Sequence, residues 1–273
     1  MNTNSSITSS DWLTDSIKKL KLAGIGSARL DAILILERVL GLSRISIISG
    51  DECIISKKDL DKLNALLLRR LKDEPMAYIQ GHTEFYGREF SIDSKVLVPR
   101  PESEVLLDLL KNLPYSEPSI LDIGCGSGCI GISIKLEMPG SKVTLLDISN
   151  DALEIARKNA TTLKADVAIL KQDLISKNEP SYDIYVVNLP YVPDSMKKSK
   201  NLAFEPPIAL FSGNNGMDMY KKFWDKVSNL TYKPAYIFCE SLTSQHNAMT
   251  KLAEIANYHT EITRGLVQQF KLF

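Results

Sequence analysis

The stretch SILDIGCGSGCIGISIKLE, residues 119–137, holds three alternating glycines between two apolar runs. The first run, SILDIG, predicts a buried strand, and the second, CIGISIKLE, predicts a helix. Gly124, Gly126 and Gly128 suit the turn between them, because a tight turn without Cβ atoms lets a ligand approach the backbone. A strand, a glycine-rich turn and a helix in this order indicate the first unit of an α/β fold with a ligand site at the turn.

The chain beyond this stretch alternates further predicted strands and helices. The predicted strands are KVTLLDIS, VAILKQD, YDIYVVN and AYIFCES, and the predicted helices between and after them are DALEIARKNATTL, MDMYKKFWDKVSNL and SQHNAMTKLAEIAN. Repeated βα units of this kind predict a doubly wound, mostly parallel sheet. The tail HTEITRGLVQQFKLF predicts two strands joined at Arg264-Gly265, so the sheet is expected to end in an antiparallel hairpin.

The sequence before the glycine stretch has a different character. Residues 1–75 predict a small helical bundle, with ARLDAILILERVL ended by Gly41 and KKDLDKLNALLLRRLKDE begun at Ser56. Residues 76–98 alternate aromatic and β-branched side chains around Gly87, which predicts a β-hairpin linking the bundle to a domain of residues 99–273. The bundle is either a self-packing cap or a surface that recognises a macromolecular substrate.

Composition and charge exclude several classes of protein. Lys plus Arg and Asp plus Glu number 33 each, so no net field attracts the chain to nucleic acid or anionic lipid. The start MNTNSSITSSDW lacks a secretory pattern, and no apolar run is long enough to span a membrane. Cys53, Cys125, Cys129 and Cys239 are scattered, and no His or second Cys pair completes a metal set. We expect a reduced, cytoplasmic protein without a metal.

A nucleoside-containing cofactor is indicated by Asp147, which ends the strand after the glycine turn and can accept hydrogen bonds from ribose hydroxyls. A dinucleotide site has the pattern G-x-G-x-x-G/A, but this chain has Cys129 at the third small position. Asp122, in the approach to the turn, is expected to repel a pyrophosphate and attract a cation. S-adenosylmethionine carries a sulfonium, an ammonium and a ribose but no phosphate, so it fits the turn better. The predicted cofactor contacts of the turn are Gly124, Cys125, Gly126, Ser127 and Gly128.

Residues 185–193, YVVNLPYVP, end another predicted strand with a polar side chain, Asn188. Pro190 prevents further ladder pairing, and Tyr191 follows it. In an open parallel sheet, ligands bind at the carboxyl ends of the strands. The segment is therefore either a binding site or only a turn.

Five segments carry a resemblance to a known family. They are SARLDAILILERVLG, PMAYIQGHTEFYGREFSIDSKVLVPRPESE, ILDIGCGSGCIGISI, DISNDALEIARKNA and FEPPIALFSGNNG, in this order. Together they resemble the HemK/PrmC family, class I methyltransferases that use S-adenosylmethionine to methylate the side-chain amide of glutamine in peptide chain release factors. The similarity covers nearly the whole chain and implies a class I methyltransferase-like sheet, a small N-terminal helical domain and a linking β-hairpin.

The resemblance also assigns roles to individual residues. The family signature Asn-Pro-Pro-Tyr reads Asn188-Leu189-Pro190-Tyr191 here, which implies the methyl-acceptor site. The Asn188 side-chain oxygen and the Leu189 carbonyl are expected to accept the two N–H groups of the target amide, and Tyr191 to stack on it. By the same resemblance, three residues complete the predicted cofactor contacts: Asp173, Leu174 and Asn188.

Two alternatives and several partner expectations accompany this prediction. An N-methyltransferase for a nucleic-acid amino group is possible chemically, because Asn-x-Pro-Tyr suits any planar amino group. A divergent protein that binds the cofactor but has lost catalysis is the other alternative. The resemblance implies a release factor as the protein substrate. We further expect a monomer, with no stable nucleic-acid binding and no membrane association.

Overall fold

The computed structural model describes residues 7–198 and 202–273. The first six residues of the predicted bundle therefore lie outside the described part of the chain. The chain forms two compact units, Met1–Gly81 and His82–Phe273, so the structural division falls six residues after the predicted end of the bundle at residue 75.

The first unit is helical. Its helices are α1 (Ser9–Leu22), α2 (Ala28–Leu40), α3 (Arg44–Ser49), α4 (Lys57–Leu71) and α5 (Met76–Gln80). The Ser56 side chain accepts the Asp59 amide at the start of α4, and Gly41 ends α2 in the left-handed conformation, as their positions in the sequence predict. Leu20, Leu36 and Leu63 are fully buried in the core that these helices share.

The predicted hairpin is shorter than the segment 76–98. Its strands are β1 (His82–Phe85) and β2 (Arg88–Ser91), paired antiparallel around Tyr86 and Gly87, which both have positive φ. Residues 76–80 form helix α5 instead, and the strand prediction for them is wrong. The reason is that Pro75 precedes this single helical turn and Gly81 ends it in the left-handed conformation, while Ile79 is buried in the helical core.

The second unit is built around one large sheet. Its strands are β3 (Ser119–Ile123), β4 (Lys142–Asp147), β5 (Ala168–Lys171), β6 (Ile184–Val187), β7 (Tyr236–Glu240), β8 (Tyr258–Arg264) and β9 (Val267–Leu272). They lie in the order β5-β4-β3-β6-β7-β9-β8. Strands β3 to β7 pair in parallel, whereas β9 runs antiparallel to both β7 and β8. The predicted mostly parallel sheet with an antiparallel C-terminal hairpin is confirmed.

Helices cover both faces of this sheet. The helices of this unit are α6 (Glu104–Leu110), α7 (Cys129–Glu137), α8 (Asn150–Leu163), α9 (Pro207–Leu210), α10 (Asp218–Ser228) and α11 (His246–Ile255). Ile120 and Ile184 pack with α6, α7 and α8, while the alternate residues Leu121 and Tyr185 pack with α10 and α11. In the described ranges, no helix combines the length and the apolar character needed to cross a lipid bilayer.

Candidate active site

A cavity of about 390 Å³ lies at the carboxyl ends of the parallel strands. Its wall includes residues that follow β3, β4, β5 and β6, which meet at one edge of the sheet. The predicted site residues in this wall are Gly124, Cys125, Gly126, Ser127, Asp147, Asp173, Leu174, Asn188, Leu189 and Pro190. The structure thus brings together in one cavity all of the predicted site residues except Gly128 and Tyr191.

The glycine turn needs its glycines for two different reasons. Gly124, Gly126 and Gly128 all have positive φ, which a residue with a side chain adopts only under strain. A Cβ on Gly124 would lie 3.1 Å from the Asn188 carbonyl oxygen, so this glycine allows the turn to approach residue 188 closely. A Cβ on Gly128 would lie 2.9 Å from Ile132 Cδ1 and 3.2 Å from Leu145 Cδ1. Gly128 therefore packs helix α7 against the sheet and is not part of the cavity wall.

Asp147 presents a carboxylate to the cavity at the end of β4. One of its oxygens accepts the Gly126 amide and the other accepts the Ser149 amide, each at 2.9 Å. Burial raises the pKa of Asp147, while these backbone hydrogen bonds oppose the rise. Each oxygen keeps a further lone pair, so the carboxylate can accept the hydroxyls of a ribose.

Asp122 does not line the cavity, and the expectation that its charge acts on the bound cofactor stays a prediction. Its side chain lies on the sheet face that α7 covers, where one oxygen accepts the Gly131 amide at 2.9 Å. That amide belongs to the first turn of α7, whose N–H groups have no partner within the helix. Complete burial raises the pKa of Asp122 to about 7. Asp122 is therefore a structural residue beneath the turn.

Asn188 is oriented by groups that the sequence did not indicate. Its side-chain amide donates to Ser103 Oγ at 3.4 Å, and Ser103 Oγ in turn donates to Glu240 Oε2 at 2.5 Å. Because this network fixes the Nδ2 end as the donor, the Oδ1 end is left as an acceptor. Within the described residues, no hydrogen bond engages that oxygen. Asn188 can therefore accept an N–H from a ligand in the cavity.

Tyr191 is held by the same carboxylate. Its hydroxyl donates to Glu240 Oε1 at 2.8 Å, and burial together with the Glu240 charge raises the pKa of Tyr191. Burial also raises the pKa of Glu240, whereas the hydrogen bonds from Ser103 and Tyr191 lower it. Tyr191 is not one of the described residues that line the cavity, and its stacking on the acceptor amide stays a prediction.

Sequence reasoning missed Glu240 and Ser103. Glu240 is 52 residues from Asn188 in the chain, and only the neighbouring positions of β6 and β7 bring the two strand ends together. The one available signal was an acidic residue at the end of the predicted strand AYIFCES, a place where ligands meet the sheet.

Arg100 borders the cavity, and its guanidinium pairs with the buried Glu205. Glu205 also accepts the Val98 amide at 3.1 Å. The buried Glu205 carboxylate therefore fixes the position of the segment around Arg100.

Two family models match the chain: Methyltransferase small domain over residues 101–205 and PrmC N-terminal domain over residues 11–81. Among solved structures, the hMettl16 catalytic domain in complex with MAT2A 3'UTR hairpin 6 aligns with a TM-score of 0.55 at 13% identity. That alignment covers 82% of this chain and 84% of the other, and it shows a shared fold alone. The fold and the match to a methyltransferase domain thus define a class I methyltransferase that uses S-adenosylmethionine.

The chain belongs to the family of release factor glutamine methyltransferases. The enzyme of that name from Koribacter versatilis is 38% identical over 219 residues, which are 78% of each chain. The one from Bacteroides thetaiotaomicron is 35% identical over 234 residues, or 83% of this chain and 84% of its own length. The predictions of fold class, family, enzyme class and cofactor are confirmed by these matches. The roles of the individual site residues stay predictions.

Proposed function

We propose that this protein transfers a methyl group from S-adenosylmethionine to the side-chain amide nitrogen of a glutamine in a peptide chain release factor. The observation that carries the proposal is the joining of two sites in one cavity. The glycine turn and Asp147 form one wall, and Asn188, Leu189 and Pro190 of the Asn188-Leu189-Pro190-Tyr191 turn line the same cavity. The names of the relatives support the choice of substrate.

The chain offers a suitable set of residues for the cofactor. In this proposal the methionine part lies against the open backbone of Gly124 and Gly126, and the Asp147 carboxylate, which lines the cavity, accepts the ribose hydroxyls. Asp173 and Leu174 line the part of the cavity beyond β5, where the adenine is expected. When bound, S-adenosylmethionine supplies an electrophilic methyl group on a sulfonium.

The Asn188-Leu189-Pro190-Tyr191 turn, called the acceptor turn below, must position a poor nucleophile. The lone pair of the target amide nitrogen is delocalised into its carbonyl. Asn188 Oδ1 and the Leu189 carbonyl oxygen can accept the two N–H groups of the amide and hold its nitrogen in line with the methyl group. The same two acceptors favour the positive charge that develops on the nitrogen. Both oxygens of Glu240 already hold hydrogen bonds, so Glu240 orients the turn, and the nitrogen loses its proton to solvent after transfer.

The helical unit is the proposed recognition surface for the release factor. Residues 11–81 match a model named for the N-terminal domain of this family, which supports a role shared with its members. The proposal further includes a monomer that acts in the cytoplasm without stable nucleic-acid binding. The four free cysteines, three of them buried, agree with a reducing compartment.

A methyl-transfer assay with three acceptors in parallel tests the proposal. The acceptors are a release factor, the same factor with its target glutamine replaced by alanine, and bulk RNA, each with S-adenosylmethionine labelled on the methyl group. We expect label only in the unaltered release factor. Label in RNA would establish the nucleic-acid alternative. Cofactor binding without label in any acceptor would indicate a protein that has lost catalysis.

A further inference from the structure

We propose that Tyr220 is a positioning residue for the acceptor turn and that it acts through the backbone N–H of Leu189. The inference rests on the proposed function, because it assumes that the turn holds the methyl acceptor. It concerns a side chain that lies outside the cavity wall and that no motif in the sequence indicates.

The Tyr220 hydroxyl joins three backbone groups at the ends of two adjacent strands. Tyr220 lies in α10 and is fully buried. Its hydroxyl faces the carbonyl of Glu240, the last residue of β7, at hydrogen-bond distance and the carbonyl of Val187, the last residue of β6, at 3.3 Å. The same oxygen accepts the N–H of Leu189 at 3.4 Å. One hydroxyl therefore ties the start of the turn to both strands.

The N–H of Leu189 needs this acceptor because of where it lies. Leu189 is buried, and the strand ladder ends before it, so its N–H has no partner from β3 or β7. A buried N–H without a partner destabilises the conformation that buries it. The hydroxyl of Tyr220 thus favours the one orientation of the Leu189 peptide in which the donor points toward α10.

The hydrogen bond from the Leu189 N–H to the Tyr220 hydroxyl, called the tether below, helps to fix the Leu189 carbonyl oxygen, which accepts an N–H of the target amide in the proposed function. Pro190 restricts Leu189 to extended values of ψ, because the proline ring crowds the residue before it. The hydrogen bond to Tyr220 restrains the peptide on the other side of Leu189. With both sides fixed, the Leu189 carbonyl and the adjacent Asn188 have a defined position. A proline at position 189 would fix φ through its ring and would have no N–H to tether.

The tether predicts a specific coupling between positions 220 and 189. Tyr220→Phe keeps the ring but removes the acceptor, so we expect kcat for release-factor methylation to fall about tenfold through misorientation of the turn. The Kd for S-adenosylmethionine should stay within about twofold of the wild-type value, since Tyr220 does not line the cavity. In a Leu189→Pro background, Tyr220→Phe should change kcat by less than about twofold, because the N–H is already gone.

Tyr185→Phe is the matched control. It also removes a hydroxyl from a fully buried tyrosine, but that hydroxyl has no hydrogen-bond partner among the described residues. Its kcat should equal that of the wild type. An equal loss of kcat from Tyr220→Phe in the wild-type and Leu189→Pro backgrounds would overturn the inference, as would no loss in either.

Amide hydrogen exchange at Leu189 provides a test that does not depend on activity. Tyr220→Phe should speed exchange of the Leu189 amide by about tenfold or more relative to the amides within β6. Unchanged exchange would contradict the tether even if Leu189→Pro fails to fold. A wild-type protein that does not methylate a release factor, but whose Leu189 amide responds to Tyr220→Phe, would refute the proposed function and keep the tether.

Discussion

Asp122 is a buried acid whose titration makes the folding stability depend on pH. Its pKa rises from an ordinary 3.8 to about 7, chiefly because burial penalises the carboxylate. The unfolded chain therefore releases this proton at a lower pH than the folded chain. The contribution of Asp122 to the free energy of unfolding falls as pH rises from about 4 to about 7 and is constant above that range.

Asp122→Asn should remove this dependence. The amide oxygen can still accept the Gly131 N–H, but the side chain no longer titrates. The free energy of unfolding of the variant minus that of the wild type should rise by a few kcal/mol when the pH is raised from about 4 to about 8. Urea unfolding of both proteins at the two pH values measures the gain. A difference between the proteins that is the same at both values would show that folding does not raise the pKa of Asp122.

At the level of residues, the sequence could predict cavity-lining residues that stand in a recognisable local pattern. The glycines and Asp147 stand in a strand–turn–helix–strand pattern, and the structure places most of them in one cavity. Glu240 and Ser103 could not be predicted, because their role comes from tertiary contacts over 52 and 85 residues of chain to Asn188. The burial of Asp122 against α7 could not be predicted either, because the sequence does not show which sheet face its side chain occupies or which helix covers that face.

The glycine turn and the acceptor turn are two elements in direct contact, and two alanine variants separate that contact from backbone strain. Gly124→Ala and Gly126→Ala both place a side chain at positive φ, at a cost of about 1–2 kcal/mol each. Only at Gly124 does the new Cβ also meet neighbouring atoms, the Asn188 carbonyl oxygen and Leu189 Cδ2. Gly124→Ala should therefore destabilise the protein by about 1 kcal/mol more than Gly126→Ala.

Thermal unfolding of the two variants without cofactor measures this difference, because no ligand then contributes to stability. Equal losses for the two variants would show that the turns do not constrain one another.

The helices of several turns and the parallel strands could be predicted from the sequence, but the short helix α5 could not. The long helices α2 and α4 and strands β3 to β7 carry clear periodicity and end signals. Helix α5, with five residues, is too short for its periodicity to differ from that of a strand. Its ends at Pro75 and Gly81 were the only signal, and they resemble the ends of a strand equally well.

On the scale of the whole molecule, we expect the helical unit to recognise the release factor and the second unit to bind the cofactor and transfer the methyl group. The predicted cofactor contacts all lie in residues 82–273, and residues 7–81 include a separate apolar core. A chain that begins at His82 should bind S-adenosylmethionine with nearly wild-type affinity but lose methylation of an intact release factor. Calorimetry and the methyl-transfer assay on the same preparation measure the two properties. Methylation at an unchanged rate would show that the helical unit is only a structural cap and does not recognise the release factor.

The sequence predicts the types of strand pairing in the sheet but not the order of the strands. Alternating strands and helices predict parallel pairing, and the Arg264-Gly265 turn predicts the antiparallel end. The sequence does not show that β6 pairs with β3 or that β9 lies between β7 and β8, because such neighbours are distant in the chain. That order is what places Glu240 beside Asn188.

The most direct measurement is the steady-state kcat of Asn188→Ala with an intact release factor. If Asn188 Oδ1 accepts an N–H of the target glutamine, its loss leaves one donor unpaired at the reacting centre. We expect kcat to fall about 10²-fold or more, by analogy with the removal of one preorganised hydrogen-bonding group, while the Kd for S-adenosylmethionine changes much less. An Asn188→Ala protein that methylates the release factor as fast as the wild type would contradict the account, because residues 188–191 would then be a turn and not the acceptor site.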